Sequence, residues 1–165
     1  MSVGEQKELI VREGKPKVYL LVVDSTEEFP IAVEYAAKFV GGSDARIALL
    51  NVIQLDHVDH WMNIENRIRK EMREEAERMT WEAARRVIDV CGKFPMVCIE
   101  EGVRSDVIVE SINKYDNICA LILAADSVSS KPGPLVTYFS SAKGLARLNV
   151  PLIIVPGHLQ KEKPE

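Results

Sequence analysis

Five short apolar runs constrain this chain more than any other feature. They are KVYLLVVD (residues 17–24), ARIALLNVI (45–53), FPMVCIEEG (94–102), NICALILAA (117–125) and NVPLIIVPG (149–157). Each is nearly continuous in apolar residues and too short for a typical helix, which is how a strand buried on both faces reads. Helix-like stretches separate them, so the order is βαβαβαβαβ. Strands in that alternation form a parallel sheet, and right-handed crossovers place helices on both of its faces. The expected fold class is therefore α/β, a doubly wound five-stranded parallel sheet. One domain over residues 17–157 accounts for every run, with 1–16 as a flexible polar arm and 158–165 as a polar tail. Within the arm, Leu9, Ile10 and Val11 offer a short strand or clasp.

The helical stretches carry boundary signals. In STEEFPIAVEYAAKFVGG, Ser25 or Thr26 suits an N-cap, Glu27 and Glu28 suit a first turn, Pro30 is tolerated there, and Gly41–Gly42 is a stop. A long helix is predicted from about Ile64 to Cys91, ended by Gly92. Ile64, Ile68, Met72, Met79, Ala83, Val87 and Val90 recur on it at three- and four-residue steps as one apolar stripe. Its other faces hold mixed charges such as Arg67 with Glu71, the pattern of a solvated face with local ion pairs. Ser105 is a candidate cap for the next helix, and the last is predicted around residues 141–148.

Composition narrows the function classes. The chain has 165 residues, 47% hydrophobic and 28% charged, with a formal net charge of -4. That balance gives no basic signal for nucleic acid or an acidic membrane, and no apolar run is long enough to span a bilayer. The N-terminal stretch has early acidic residues and no long apolar core, so a cytoplasmic location is expected. Cys91, Cys98 and Cys119 are odd in number and lack C-x-x-C spacing, against a disulfide framework or a zinc site.

Ligands of doubly wound sheets bind beyond the C-terminal ends of the strands, so the residues there are the candidates. Asp24 ends the first run; its carboxylate can accept from ribose hydroxyls or an adenine amine, or it can cap the turn into the helix. Val52, near the end of the second run, offers its backbone to a base. DHVDHW (56–61) holds His57, His60, Asp56 and Asp59, metal-capable if folded together, but with no further ligand set. After the fourth run, AADSVSSKPGPLVTYFSS (124–141) is a serine-rich loop. Its hydroxyls and amides can hold phosphate oxygens, with Lys131 adding a positive charge. Pro132 and Pro134 lack N–H donors and cannot join such a cradle; the other reading is an ordered surface turn. No nucleophile elbow, Walker loop or cysteine–histidine signature occurs.

Across residues 17–157 the chain resembles the universal stress protein family. VYLLVVDSTEEFPIAVEYAAKF, ARIALLNVI, VCIEEGVRSDVIVESI and LNVPLIIVPG carry the resemblance, and DHWMNIENRIRKEMREEAE with GPLV is similar to a subgroup of single-domain, alphaproteobacterial-like members. The resemblance implies a sheet order of 3-2-1-4-5, a homodimer paired through the last strand, and an ATP site between the first and fourth strands. Asp24 and Val52 match the family's nucleotide-binding positions. The family's glycine pattern after the fourth strand does not recur. Ala124 or Ala125 stands at the first glycine and Ser127 or Val128 at the second, while Ser140–Ser141 most nearly matches the closing Gly-Ser pair. The function this implies is a non-catalytic stress-response protein with a weakened adenine-nucleotide site; the alternatives are a slow ATP hydrolase and a ligand-free protein-interaction module.

Overall fold

The computed structural model describes residues 15–55 and 62–159, apart from the side chains of Met62 and Asn63. The histidine–aspartate run 56–61 and the Leu9–Ile10–Val11 clasp lie outside the described residues. Five strands form one sheet: β1 (Val18–Val22), β2 (Arg46–Ile53), β3 (Met96–Glu101), β4 (Ile118–Ala125) and β5 (Leu152–Pro156). Their order is β3-β2-β1-β4-β5 and every pairing is parallel, as expected from the sequence. The connecting helices are α1 (Phe29–Val40), α2 (Met62–Cys91), α3 (Arg104–Lys114), α4 (Pro134–Ser140) and α5 (Ala142–Leu145).

The apolar runs lack alternation because both faces of the sheet are covered. Leu20, Val22, Leu50, Leu121 and Leu123 pack on one face against Ile108 and Ile112 of α3 and Phe139 of α4. Leu21, Val23, Leu49 and Ile122 pack on the other against Ala32, Val33, Ala36 and Val40 of α1 and Ala83, Ala84 and Val87 of α2. One buried polar contact crosses that second layer. The Asn51 amide of β2 donates to Thr80 Oγ1 (3.2 Å) and to the Ala76 carbonyl (3.3 Å), and the Thr80 hydroxyl donates to Ala76 O at 2.6 Å. Buried polar groups are costly unless paired in this way.

Helix boundaries differ from the sequence reading in four places. Neither Ser25 nor Thr26 caps α1; the helix starts at Phe29 after Glu28, with no side-chain cap bond, so Glu27 and Glu28 precede the first turn rather than fill it. Ser105 lies inside α3, whose N-cap is Val103. The helix predicted around residues 141–148 is the short α5, and a further helix, α4, lies in the stretch read as loop; it begins at Pro134, whose fixed φ and missing N–H suit a helix start. The buried stripe of α2 is Ala76, Thr80, Ala83, Ala84 and Val87; Ile64 and Val90 are 54% and 40% exposed. A 30-residue helix is about 45 Å long, well beyond an eight-residue strand of about 27 Å. The first turns of α2 therefore overshoot the sheet.

Two devices close the chain locally. The Lys93 ammonium donates to the carbonyls of Val40 (2.8 Å) and Ala45 (3.0 Å) and to that of Ser43, satisfying acceptors at the C-terminal end of α1 where a cation is favoured. At the α4–α5 junction, the Ser141 hydroxyl accepts from the Gly144 N–H at 3.2 Å as the α5 cap. Gly144 is packed against the preceding helix so closely that an added Cβ would lie 2.0 Å from the Tyr138 carbonyl oxygen. Gly144→Ala is expected to lower stability by about 1–3 kcal/mol, the usual cost of overpacking, measured by urea unfolding. A loss within about 0.5 kcal/mol, normal for a surface change, would show that the junction yields.

Candidate functional site

The ends of β1, β2 and β4 open into a cleft of about 880 Å³. Strands β1 and β4 are neighbours whose connections leave in opposite directions along the sheet, which makes this the switch point where doubly wound folds hold ligands. Val23, Asp24 and Thr26 come from β1 and the turn after it, and Asn51, Val52 and Ile53 from β2. Ala124 and Asp126 follow from β4 and its exit. Met72, Glu75, Ala76 and Met79 of α2 form one wall, and Arg104 of α3 with residues 131–136 completes the lining. The Asn51–Thr80 contact fixes β2 to α2 at the base of this wall.

Asp24, Val52 and Ala124 thus meet in one cleft, although they are far apart in sequence. Asp24 Oδ1 accepts from the Thr26 N–H (2.9 Å) and the Thr26 hydroxyl (2.5 Å), the turn that aspartate forms with the residue two positions on. Oδ2 makes no hydrogen bond among the described residues, so an acceptor remains for a ligand.

The other five sequence candidates lie elsewhere. Ala125 is buried, with its carbonyl accepting from Gly157 N–H at 2.8 Å. Ser127 and Val128 form the outer tip of the loop, Val128 being 92% exposed. Ser140 closes α4 with its hydroxyl donated back to Val136 O at 2.6 Å, and the Ser141 hydroxyl donates to Tyr138 O at 2.5 Å. None of the five lines the cleft. The serine hydroxyls turn inward because helix-end carbonyls are the nearest acceptors.

Two residues that sequence reasoning passed over dominate the cleft chemistry. Asp126 Oδ1 accepts from two successive amides, Val128 N–H (2.8 Å) and Ser129 N–H (3.1 Å), and Oδ2 accepts the Ser129 hydroxyl. The Asp126 N–H donates to Pro132 O at 3.1 Å, so the loop closes on itself. The Ser129 hydroxyl first, and then the two amides, hold this carboxyl below its usual pKa. The D-S-V-S string was its sequence signal, since aspartate binds backbone two residues on. Arg104 had no such signal. Its Nε is the one side-chain nitrogen or oxygen among the described residues that is buried without a hydrogen-bond partner.

The lining is acidic on balance: Asp24, Glu28, Glu71, Glu75 and Asp126 stand against Arg104 and Lys131. Glu75 is held by Arg78 through bonds of 2.9 and 2.6 Å, which lower its pKa. Among the described residues no three histidine, cysteine or carboxylate side chains group as a metal site. The thiols of Cys98 and Cys119 are free, with pKa values raised chiefly by burial.

No family model and no curated protein matches the sequence. Solved structures do match. A universal stress protein from Lactobacillus plantarum is similar over 86% of this chain and 99% of its own, with a TM-score of 0.71 at 15% identity. The fold is that of the universal stress proteins. Two further structures with this fold are complexes. A universal stress protein with cAMP covers 86% of this chain and 98% of its own, with a TM-score of 0.54 at 15% identity. Another, from Archaeoglobus fulgidus with dAMP, covers 85% and 97%, with a TM-score of 0.54 at 12% identity.

A depressed carboxyl pKa sets the pH response of the loop after β4. The Asp126 bonds stay intact above the ordinary carboxylate value of 3.8 and are lost as pH falls through the lowered pKa. In an acid titration followed by NMR, the Val128 and Ser129 amide resonances are expected to shift together with a midpoint below 3.8. A midpoint at or above that value would show that the carboxylate is not held as described.

Proposed function

We propose that the chain is a cytoplasmic universal stress protein that binds an adenine nucleotide without turning it over. One observation carries the reading: a cleft at the switch point where Asp24, with a free acceptor oxygen, meets Val52 and Ala124. The Asp24 carboxylate accepts from ribose hydroxyls or the adenine amine, and the apolar side chains of Val52, Met72 and Met79 supply a surface for a base. The nucleotide complexes of two proteins of the same fold support the choice of ligand. No helix among the described residues is long and apolar enough to cross a membrane.

Mass spectrometry of protein purified without added nucleotide, under native and then denaturing conditions, tests the reading through a retained adenine nucleotide. Calorimetry then gives the residue-level test. Asp24→Ala is expected to weaken adenine-nucleotide binding about ten- to a hundredfold, the worth of a charge-assisted hydrogen bond, with the melting temperature little changed. Phosphate release from ATP with magnesium at a rate proportional to protein concentration would replace this reading with the hydrolase.

The same reading includes a homodimer paired through β5. This strand is at the sheet edge, where unpaired backbone groups invite association. Ile154 is 38% exposed on it, beside the half-buried Leu152 and Ile153. Ile154→Lys is expected to shift a dimer towards monomer in light scattering at micromolar concentration. A wild-type protein that is monomeric there would rule the dimer out.

A further inference from the structure

The loop after β4 has the elements of an anion site, and the site is filled. Two successive amides, Val128 and Ser129, converge on one oxygen, the arrangement by which backbone N–H groups bind phosphate oxygens. Here that oxygen belongs to the protein's own Asp126, and the Ser129 hydroxyl is directed to the other oxygen of the same carboxylate. Pro132 and Pro134 supply no further amides. The next helix, α4, begins at Pro134 after Gly133, whose φ of 113° is one that glycine tolerates and other residues resist. The bonds on Asp126 favour its ionised form, so the amides stay occupied at neutral pH.

A nucleotide entering this cleft meets a loop whose Val128 and Ser129 amides are already taken. It also meets the carboxylates of Asp24, Glu28, Glu71 and Asp126, which repel each added phosphate. Two cationic side chains share this lining, Arg104 and Lys131, and Arg104, on the segment after β3, has an Nε with no acceptor among the described residues. Arg104 as a whole is only half-buried, and a guanidinium that lines the cleft matches phosphate geometry through two parallel bonds.

Resting on the adenine-nucleotide reading above, we infer that the cleft selects adenosine monophosphate over the triphosphate, with Arg104 receiving the single phosphate and Asp126 excluding a phosphate chain from the loop. The selectivity is thus written in two side chains on different elements, neither of them at a position where the family's glycines stand.

Calorimetry of the full chain with adenosine, AMP and ATP tests this. The wild type is expected to bind AMP about tenfold tighter than adenosine, the worth of one charge-assisted hydrogen bond, and about tenfold tighter than ATP, whose added phosphates meet the carboxylates. Arg104→Gln should bring AMP to the adenosine level and leave adenosine unchanged. Asp126→Ala vacates the amides and should raise ATP affinity relative to AMP at least about tenfold. Asp126→Asn separates occupancy from repulsion, because it keeps an acceptor for the amides while removing the charge; it should give much less than the alanine gain. ATP binding to the wild type as tightly as AMP would overturn the inference and leave the adenine-nucleotide reading standing. So would an unchanged ATP-to-AMP ratio in Asp126→Ala, or an equal gain in Asp126→Asn. Absence of heat with all three ligands, for wild type and both Asp126 variants, would overturn that reading and the inference with it.

Discussion

Burial of the central strands on both faces is the constraint on which the rest of this structure depends. Leu21 and Ile122 look to one side of β1 and β4 and Leu20 and Leu121 to the other, and all four are almost wholly removed from solvent. A strand in that position has no solvated face, so both layers of helices are obligatory. The helices in turn close off the faces and leave the strand ends as the open part of the sheet's centre. The cleft is a consequence of that closure. Strands β1 and β4 are neighbours whose crossovers depart in opposite directions, and the cleft lies at their C-terminal ends.

The two strands that frame the cleft end alike. Each passes into an aspartate that folds its carboxylate back on the chain: Asp24 onto the Thr26 amide and hydroxyl, Asp126 onto the Val128 and Ser129 amides and the Ser129 hydroxyl. These turns satisfy backbone donors that the end of a sheet leaves exposed. They differ in what remains. Asp24 keeps one oxygen without a partner among the described residues, whereas Asp126 spends both on its own loop. The first is an open acceptor for a ligand and the second a closed plug, although the local chemistry is the same. Across the layer, the Asn51–Thr80 contact holds the β2 end against α2, so the cleft wall is anchored by a buried hydrogen-bond pair rather than by apolar packing alone.

Some errors of the sequence reading have one cause, that a local signal was assigned to the nearest function. Ser25, Thr26 and Ser105 are good cap residues, but α1 and α3 begin at Phe29 and Arg104 without side-chain caps. The α2 stripe was drawn by periodicity over the whole helix; Ile64 lies in the first turns, which overshoot the sheet, and Val90 is exposed although Val87 and Cys91 beside it pack on the core. Pro132-Gly133-Pro134 reads as a rigid turn, and it is also a helix start, because proline at the first helical position forfeits no bond.

The sequence by itself determined the five strands, their alternation with helices and hence the two-sided parallel sheet. Continuous apolar runs of strand length that alternate with amphipathic helices suit strands covered on both faces. It also marked Asp24, because an aspartate at the end of such a run stands where ligands bind. Tertiary structure alone decided the site's composition. Which of Ala124 and Ala125 faces the cleft is a matter of the sheet's two-residue period, and only Ala124 does. That Ser140 and Ser141 turn their hydroxyls into helix-end carbonyls depends on where α4 ends and α5 begins. That Arg104 reaches the cleft depends on the α3 start, and that its Nε has no acceptor among the described residues depends on every element around it. Such facts belong to contacts between distant segments, which no local pattern in the chain encodes.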